Sequence, residues 1–148
     1  YSRDAARLMA ETLAGMPIQR VFVVHGEPGW DEPTPCGPFE LYDVTPGHVV
    51  RTERDPLDCG LARCTPQSLA GGDAAHNAAG MRAVFTGQDR GSHRDALVLN
   101  AALALEVTGT VADPQAAIRA ASDALDRGDG ARLLDRLATF GRSMGGAP

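Results

Sequence analysis

The sequence predicts a helix-rich α/β fold with a short β-hairpin, and three observations carry that prediction. A run of β-favouring residues, Val21 to Val24, leads into the glycine-punctuated segment from His25 to Trp30. Two short β-type runs, Phe39–Val44 and His48–Thr52, flank Thr45-Pro46-Gly47. Pro-Gly between such runs marks a turn, so they form a hairpin. From Asp73 onward, capping residues and glycine stops divide the chain into successive helices.

Taken in order, the first element is a helix over residues 3–14, capped by Ser2, with Ala6, Leu8, Met9 and Leu13 on a partly apolar face. A strand over 20–25 follows, then a Gly/Pro-rich loop over 26–38. After the hairpin, residues 53–65 read as polar and irregular, with Asp55-Pro56 forcing an extended step. Asp73 caps a helix that Gly87 stops near Phe85. Ser92 caps the next, which ends near Thr108 at Gly109. Asp113-Pro114 supplies a cap and a proline at the first helical position of a helix ending near Gly128. A last short helix spans 131–140, and 141–148 reads as a flexible tail.

The helix from Ser92 to Thr108 is apolar around its circumference, with Asn100 the only polar residue in its centre. A helix of that composition is expected to be buried on all sides. A chain of 148 residues with few strands offers little to surround it. The chain also begins without methionine, inside a helix. Both features suggest a missing N-terminal portion.

Composition narrows the function classes. A 43% hydrophobic content at this length supports one core. The net charge of −5, with dispersed arginines and no lysine, argues against a nucleic-acid scaffold. No signal peptide is evident, and no apolar run reaches the ~18 residues of a membrane span. A cytoplasmic location is expected. Cys36, Cys59 and Cys64 lack paired spacing, so isolated thiols in a reducing cytoplasm are expected rather than a zinc site completed by His25 or His48.

Chemistry is best sought where the Val21–Val24 run gives way to the loop that carries Asp31 and Glu32. In parallel α/β proteins, ligands collect at the carboxyl ends of strands. Asp31 and Glu32 offer adjacent hard oxygen ligands of the kind Mg²⁺ takes alongside waters and substrate phosphates. Taken alone, such a pair is also the ordinary make-up of a solvated acidic turn. His25 could serve as an acid/base or fix the loop by a backbone hydrogen bond. Gly71-Gly72-Asp73 could expose N–H groups to an anion, but Asp73 as a cap would repel phosphate, which favours a structural role. His76, Asn77 and Arg82 read as solvated or interfacial, and Arg94-Asp95 as a structural ion pair or cap. No nucleophile elbow, P-loop or dinucleotide fingerprint occurs.

Four stretches together resemble the C-terminal part of anthranilate phosphoribosyltransferase. Val23-Val24-His25-Gly26 through Gly29-Trp30-Asp31-Glu32 resembles the family's Val-His-Gly strand end and its Gly-Leu-Asp-Glu. Gly71-Gly72-Asp73-Ala74-Ala75 with Asn77-Ala78 resembles its Gly-Gly-Asp-x-x-x-Asn-Ala helix start. Arg82-Ala83-Val84 with Gly87 follows, and Arg94-Asp95 through Asn100-Ala101-Ala102 resembles its buried Arg-Asp-x-x-x-Leu-Asn-Ala-Ala helix. The likeness runs from about Leu8 to Leu137, in order and at the right spacing.

The resemblance implies the C-terminal half of a nucleoside-phosphorylase/phosphoribosyltransferase-type α/β domain, over residues 1–140. It implies Mg²⁺-dependent transfer of phosphoribosyl from phosphoribosyl pyrophosphate to anthranilate in tryptophan biosynthesis, with Asp31 and Glu32 holding the metal. It also implies a homodimer as the complete enzyme, and no nucleic-acid or membrane partner. The family's Gly-Thr-Gly-Gly-Asp phosphate loop, serine-rich segment and anthranilate-contacting arginine belong to an N-terminal half that this sequence does not contain. These 148 residues alone are therefore expected to be inactive. Trp30 replaces a small aliphatic residue, and Pro35–Phe39 departs from a Ser/Thr-rich segment, so another aromatic acceptor is the alternative. A non-catalytic binding or regulatory module of the same fold is the other.

Overall fold

The computed structural model describes residues 2–145. Its elements are α1 (Arg3–Ala14), β1 (Val21–Gly26), β2 (Phe39–Thr45), β3 (His48–Arg54), α2 (Ala74–Phe85), α3 (Ser92–Val107), α4 (Pro114–Asp126) and α5 (Asp129–Met144). Short 3₁₀ turns at Pro56–Cys59 and Pro66–Leu69 lie between β3 and α2. Three helix starts follow from side-chain acceptors near in sequence. Ser2 accepts the Ala5 N–H, Asp73 that of His76, and Asp113 that of Ala116.

The fourth start differs from expectation. Gly91, not Ser92, is the cap of α3, because Asp89 Oδ1 accepts the Gly91 N–H at 2.8 Å and bends the chain one residue earlier. The segment read as irregular contains the first 3₁₀ turn, and the second follows directly after it. Asp55 does take the expected extended conformation, and its side chain then accepts the Leu57 N–H. Helix α5 runs through 141–144, where the tail was expected to begin; residues 146–148 of that tail lie outside the described residues.

The strands form one antiparallel sheet in the order β1-β2-β3. The hairpin is as read, with Thr45 paired to His48 across Pro46-Gly47. Gly47 takes φ +75, which the third position of a Pro-Gly turn requires. The other pairing, β1 with β2 in the register Val24↔Leu41 and Gly26↔Phe39, joins strands separated by the 27–38 loop. The parallel arrangement invoked for the strand end is thus replaced, among the described residues, by an antiparallel one.

Alternation along the strands divides the core in two. Val23, Tyr42 and Val44 meet Ala6 and Ala10 of α1 on one face. On the other, Phe39 and Leu41 meet Val98, Leu99, Ala102 and Leu103 of α3 and Ala117, Ile118 and Ala121 of α4. Strand β3 is largely exposed and carries Arg51, Glu53 and Arg54, a charged edge of the kind that discourages edge-to-edge pairing.

Helix α3 is not buried on all sides, contrary to expectation. Val98, Leu99, Ala102, Leu103 and Glu106 are buried, but Ala104 is exposed. Its remaining apolar side opens on a groove of about 530 Å³ shared with α4 and the start of α5. Leu133, Leu137, Phe140 and Met144 of α5 are exposed as well. The all-round apolar composition is only half used by the described partners.

Candidate metal-binding loop

The loop after β1 is closed by its own backbone. Gly26 N–H donates to the Trp30 carbonyl at 2.9 Å, and Trp30 N–H donates back to Gly26 at 2.8 Å. Between them the Glu27-Pro28 bond is cis, and Gly29 sits at φ +131, a conformation that favours glycine. Asp31 and Glu32 follow directly, both exposed.

Immediately after the acidic pair the chain dives into the protein. Pro33, Thr34 and Pro35 are almost wholly buried. Asn100 Nδ2 of α3 donates to the Pro33 carbonyl at 3.0 Å, and the Cys64 N–H donates to the Pro35 carbonyl at 3.2 Å. The first half of the loop is tied to the same segment: Glu27 N–H donates to the Pro38 carbonyl at 3.0 Å. Gly37 lies so close to Glu27 that a Cβ there would stand 2.9 Å from the Glu27 Cβ. Arg3 of α1 pairs with the Glu27 carboxylate.

Two exposed carboxylates therefore project from a backbone fixed on both sides. Among the described residues neither Asp31 nor Glu32 makes an ion pair or a side-chain hydrogen bond, and no group of three or more His, Cys, Asp or Glu side chains assembles there. Two free carboxylates without a third protein ligand match Mg²⁺ in donor chemistry, since that ion keeps several waters and is completed by substrate phosphates. A Zn²⁺ site would want three or four nitrogen and sulfur ligands. The residues fit the hard cation.

The other singled-out residues take structural places. Asp73 caps α2, and Gly72 is closed by Asn77, whose Oδ1 accepts the Gly72 N–H at 2.8 Å while Nδ2 donates to its carbonyl. A Cβ on Gly71 or Gly72 would come within 2.9 Å of Asn77 or His76. These glycines give room to side chains, and the Gly72 N–H is not offered to an anion. Arg94 pairs with Asp126 of α4 at 3.2 Å, the inter-element ion pair expected of it. Arg82 reaches Asp135 of α5 at 3.4 Å.

His25 is 8% exposed and pairs across the sheet with Glu40; its Nδ1 lacks a hydrogen-bond partner among the described residues. Glu40 is 3% exposed and accepts from Arg51 at 2.6 Å and from the Tyr42 hydroxyl at 2.9 Å, with Arg3 at 3.2 Å. Arg51 chiefly holds this carboxyl below the usual range against the opposing effect of burial, with Tyr42 and Arg3 helping. The cluster anchors α1 over the sheet.

Sequence reasoning missed the anchoring role of Asn100. Its isolation in an apolar helix was the available signal, since a buried amide demands partners. The thiols also differ from expectation. Cys36 and Cys64 are not isolated but stand with their sulfurs 3.5 Å apart.

The frame is a helix-rich α/β unit in which a strand ends in a glycine-closed loop bearing two exposed carboxylates. The chain belongs to the glycosyl transferase family, a/b domain, whose sequence profile matches residues 1–131. The resemblance to anthranilate phosphoribosyltransferase is borne out. The chain is 39% identical over 146 residues to the anthranilate phosphoribosyltransferase of Rubrobacter xylanophilus, covering 99% of this chain and 43% of that protein. It matches the crystal structure of anthranilate phosphoribosyltransferase from Thermus thermophilus with a TM-score of 0.83 and 31% identity, over 96% of this chain and 41% of that one. The Saccharomyces cerevisiae enzyme in complex with PRPP and Mg matches with a TM-score of 0.80 over 91% of this chain and 39% of that one, at 22% identity, which shows the fold alone. The chain spans roughly two fifths of the length of these relatives.

Proposed function

We propose that this chain is the metal-holding part of an anthranilate phosphoribosyltransferase. In this reading Asp31 and Glu32 hold Mg²⁺ against the pyrophosphate of phosphoribosyl pyrophosphate, and anthranilate is the acceptor whose amine receives the phosphoribosyl group. The observation that carries the reading is the pair of exposed, partner-free carboxylates held between the closed Gly26–Trp30 turn and the buried Pro33–Pro35 segment.

The chemistry sets what these residues do. Pyrophosphate leaves as a concentrated negative charge while positive charge develops on the ribose. A bound divalent cation neutralises that leaving charge. In this reading Asp31 and Glu32 act as metal ligands rather than as acid or base. The rigid anchors keep both carboxylates presented in the absence of substrate, so little ordering remains for the moment of binding.

A phosphate cradle and an acceptor site are supplied by sequence beyond these residues. The working enzyme in this reading is a longer polypeptide or assembly, a homodimer in a cytoplasmic setting. The test is an anthranilate-fluorescence assay in an enzyme that carries this chain together with its phosphate-binding half. Asp31→Asn combined with Glu32→Gln should lower Mg²⁺-dependent turnover by ~10²-fold, the scale of losing one preorganised electrostatic contact. Full turnover at unchanged Mg²⁺ concentration would discard the assignment.

A further inference from the structure

Cys36 and Cys64 lie 28 residues apart in sequence, yet their sulfurs meet at 3.5 Å. The approach is set by the backbone, because the Cys64 N–H donates to the Pro35 carbonyl, next to Cys36, at 3.2 Å. On the other side, the Cys36 N–H donates to Thr34 Oγ1 at 3.3 Å inside the buried Pro33–Pro35 segment. Both thiols are partly exposed, so a small oxidant reaches them. Cys59 is separate: it packs against the α3–α4 core.

We propose that Cys36 and Cys64 form a reversible redox pair, oxidised by a peroxide to an intramolecular disulfide that staples the segment after the acidic pair to the 61–65 segment. The inference stands apart from the metal reading, since it uses neither Asp31 nor Glu32.

The steps balance as two electrons and two waters. The thiolate of one cysteine attacks a peroxide oxygen; the O–O bond breaks, leaving a sulfenic acid and hydroxide. The second thiolate attacks that sulfur; the S–O bond breaks, the S–S bond forms, and hydroxide leaves. The two thiol protons convert the two hydroxides to water. Burial, with Cys36 beside it, pushes the Cys64 thiol up; the sequence of steps is the same whichever of the two sulfurs attacks first. A dithiol reductant reverses the bond by exchange.

The staple would close a loop across the site's rear anchor. Cross-linking a loop of this length raises thermal stability, here by roughly 10 °C. The tie also falls beside Pro35, whose carbonyl Cys64 already holds, and two residues on from Pro33, which Asn100 holds.

The experiment is hydrogen peroxide treatment of the full chain, followed by intact mass, thiol titration and peptide mapping, each repeated after dithiothreitol. The expected result is a loss of about 2 Da, a fall from three free thiols to one, and a Cys36–Cys64 linked peptide, all reversed by the dithiol. Cys59→Ser should leave the product unchanged, whereas Cys36→Ser should abolish it along with the rise in melting temperature. Mapping of the unaltered chain needs no variant, so a misfolded Cys36→Ser protein does not protect the proposal. Oxidation that stops at sulfinic acid, links Cys59, or joins two chains would overturn it.

Discussion

Gly26 and Glu32 touch across the loop: a Cβ built on Gly26 would stand 2.5 Å from the Glu32 carbonyl oxygen and 3.3 Å from the Trp30 Cβ. The acidic pair can therefore lie where it does only if the strand ends in glycine. The backbone of Glu32 is fixed by this contact on one side and by the buried Pro33–Pro35 segment on the other.

Gly26→Ala should accordingly displace the acidic pair without touching either carboxylate. Overpacking a rigid backbone contact of this kind costs about 2 kcal/mol. The loss is expected in urea denaturation, together with weakened Mg²⁺ dependence in the complete enzyme. Unchanged stability and metal response would mean that the loop relaxes freely.

Asn100→Ala tests the second anchor. Its amide donates to the Pro33 carbonyl at 3.0 Å and to Ala96 at 2.9 Å. Removal leaves the Pro33 carbonyl without its donor, at a cost of about 1–3 kcal/mol. A urea midpoint shift inside this range is expected. A loss below about 0.5 kcal/mol, the level of an ordinary surface change, would contradict the anchoring role.

The buried Glu106 of α3 is matched by Arg54 of β3 at 2.8 Å. Arg54→Met should strand that carboxylate and cost about 3 kcal/mol. The double variant Arg54→Met, Glu106→Met should recover most of the loss, since an apolar pair of similar volume replaces the ion pair. Additive losses in the double variant would mean no coupling between the two residues and would contradict the ion-pair account.

The pH dependence follows from three carboxylates held below their usual range. These are Glu40 by Arg51, Asp43 by Arg20, and Asp55 by the Leu57 N–H and then Arg63. Their folded values lie below the unfolded ones, so their stabilisation is complete above the unfolded values and is lost as pH falls through the folded ones. Melting temperature should hold down to about pH 5 and fall below about pH 4.5. Asp95 runs the other way: burial raises it, so its contribution is present below the unfolded value and lost as pH rises through the folded one. Glu40→Gln should flatten the acid limb; an unaltered limb would remove Glu40 from the account.

What the sequence made legible was what residues decide locally. Ser2, Asp73 and Asp113 are caps because their side chains reach an N–H three residues on, and Pro46-Gly47 makes its own turn. What it hid was decided at a distance. The pairing of β1 with β2 spans the whole 27–38 loop, and the Cys36–Cys64 approach depends on a hydrogen bond between segments nearly thirty residues apart. Gly91 stands as the cap in place of Ser92 where Asp89 accepts the Gly91 N–H, a local bond that a cap pattern alone does not weigh. The acidic pair was visible in Asp31-Glu32, but the anchors that hold it, Gly26, Gly37 and Asn100, emerge only from the packing.

The most direct measurement is Mn²⁺ binding, followed by electron paramagnetic resonance as a stand-in for Mg²⁺, with phosphoribosyl pyrophosphate present and the complete enzyme as sample. The account predicts that Asp31→Asn with Glu32→Gln weakens metal affinity by at least about 10-fold, since even the loss of a partner that only supports a ligand costs that much. Equal metal affinity in the variant and the unaltered enzyme would contradict it and leave the two carboxylates as a solvated acidic turn.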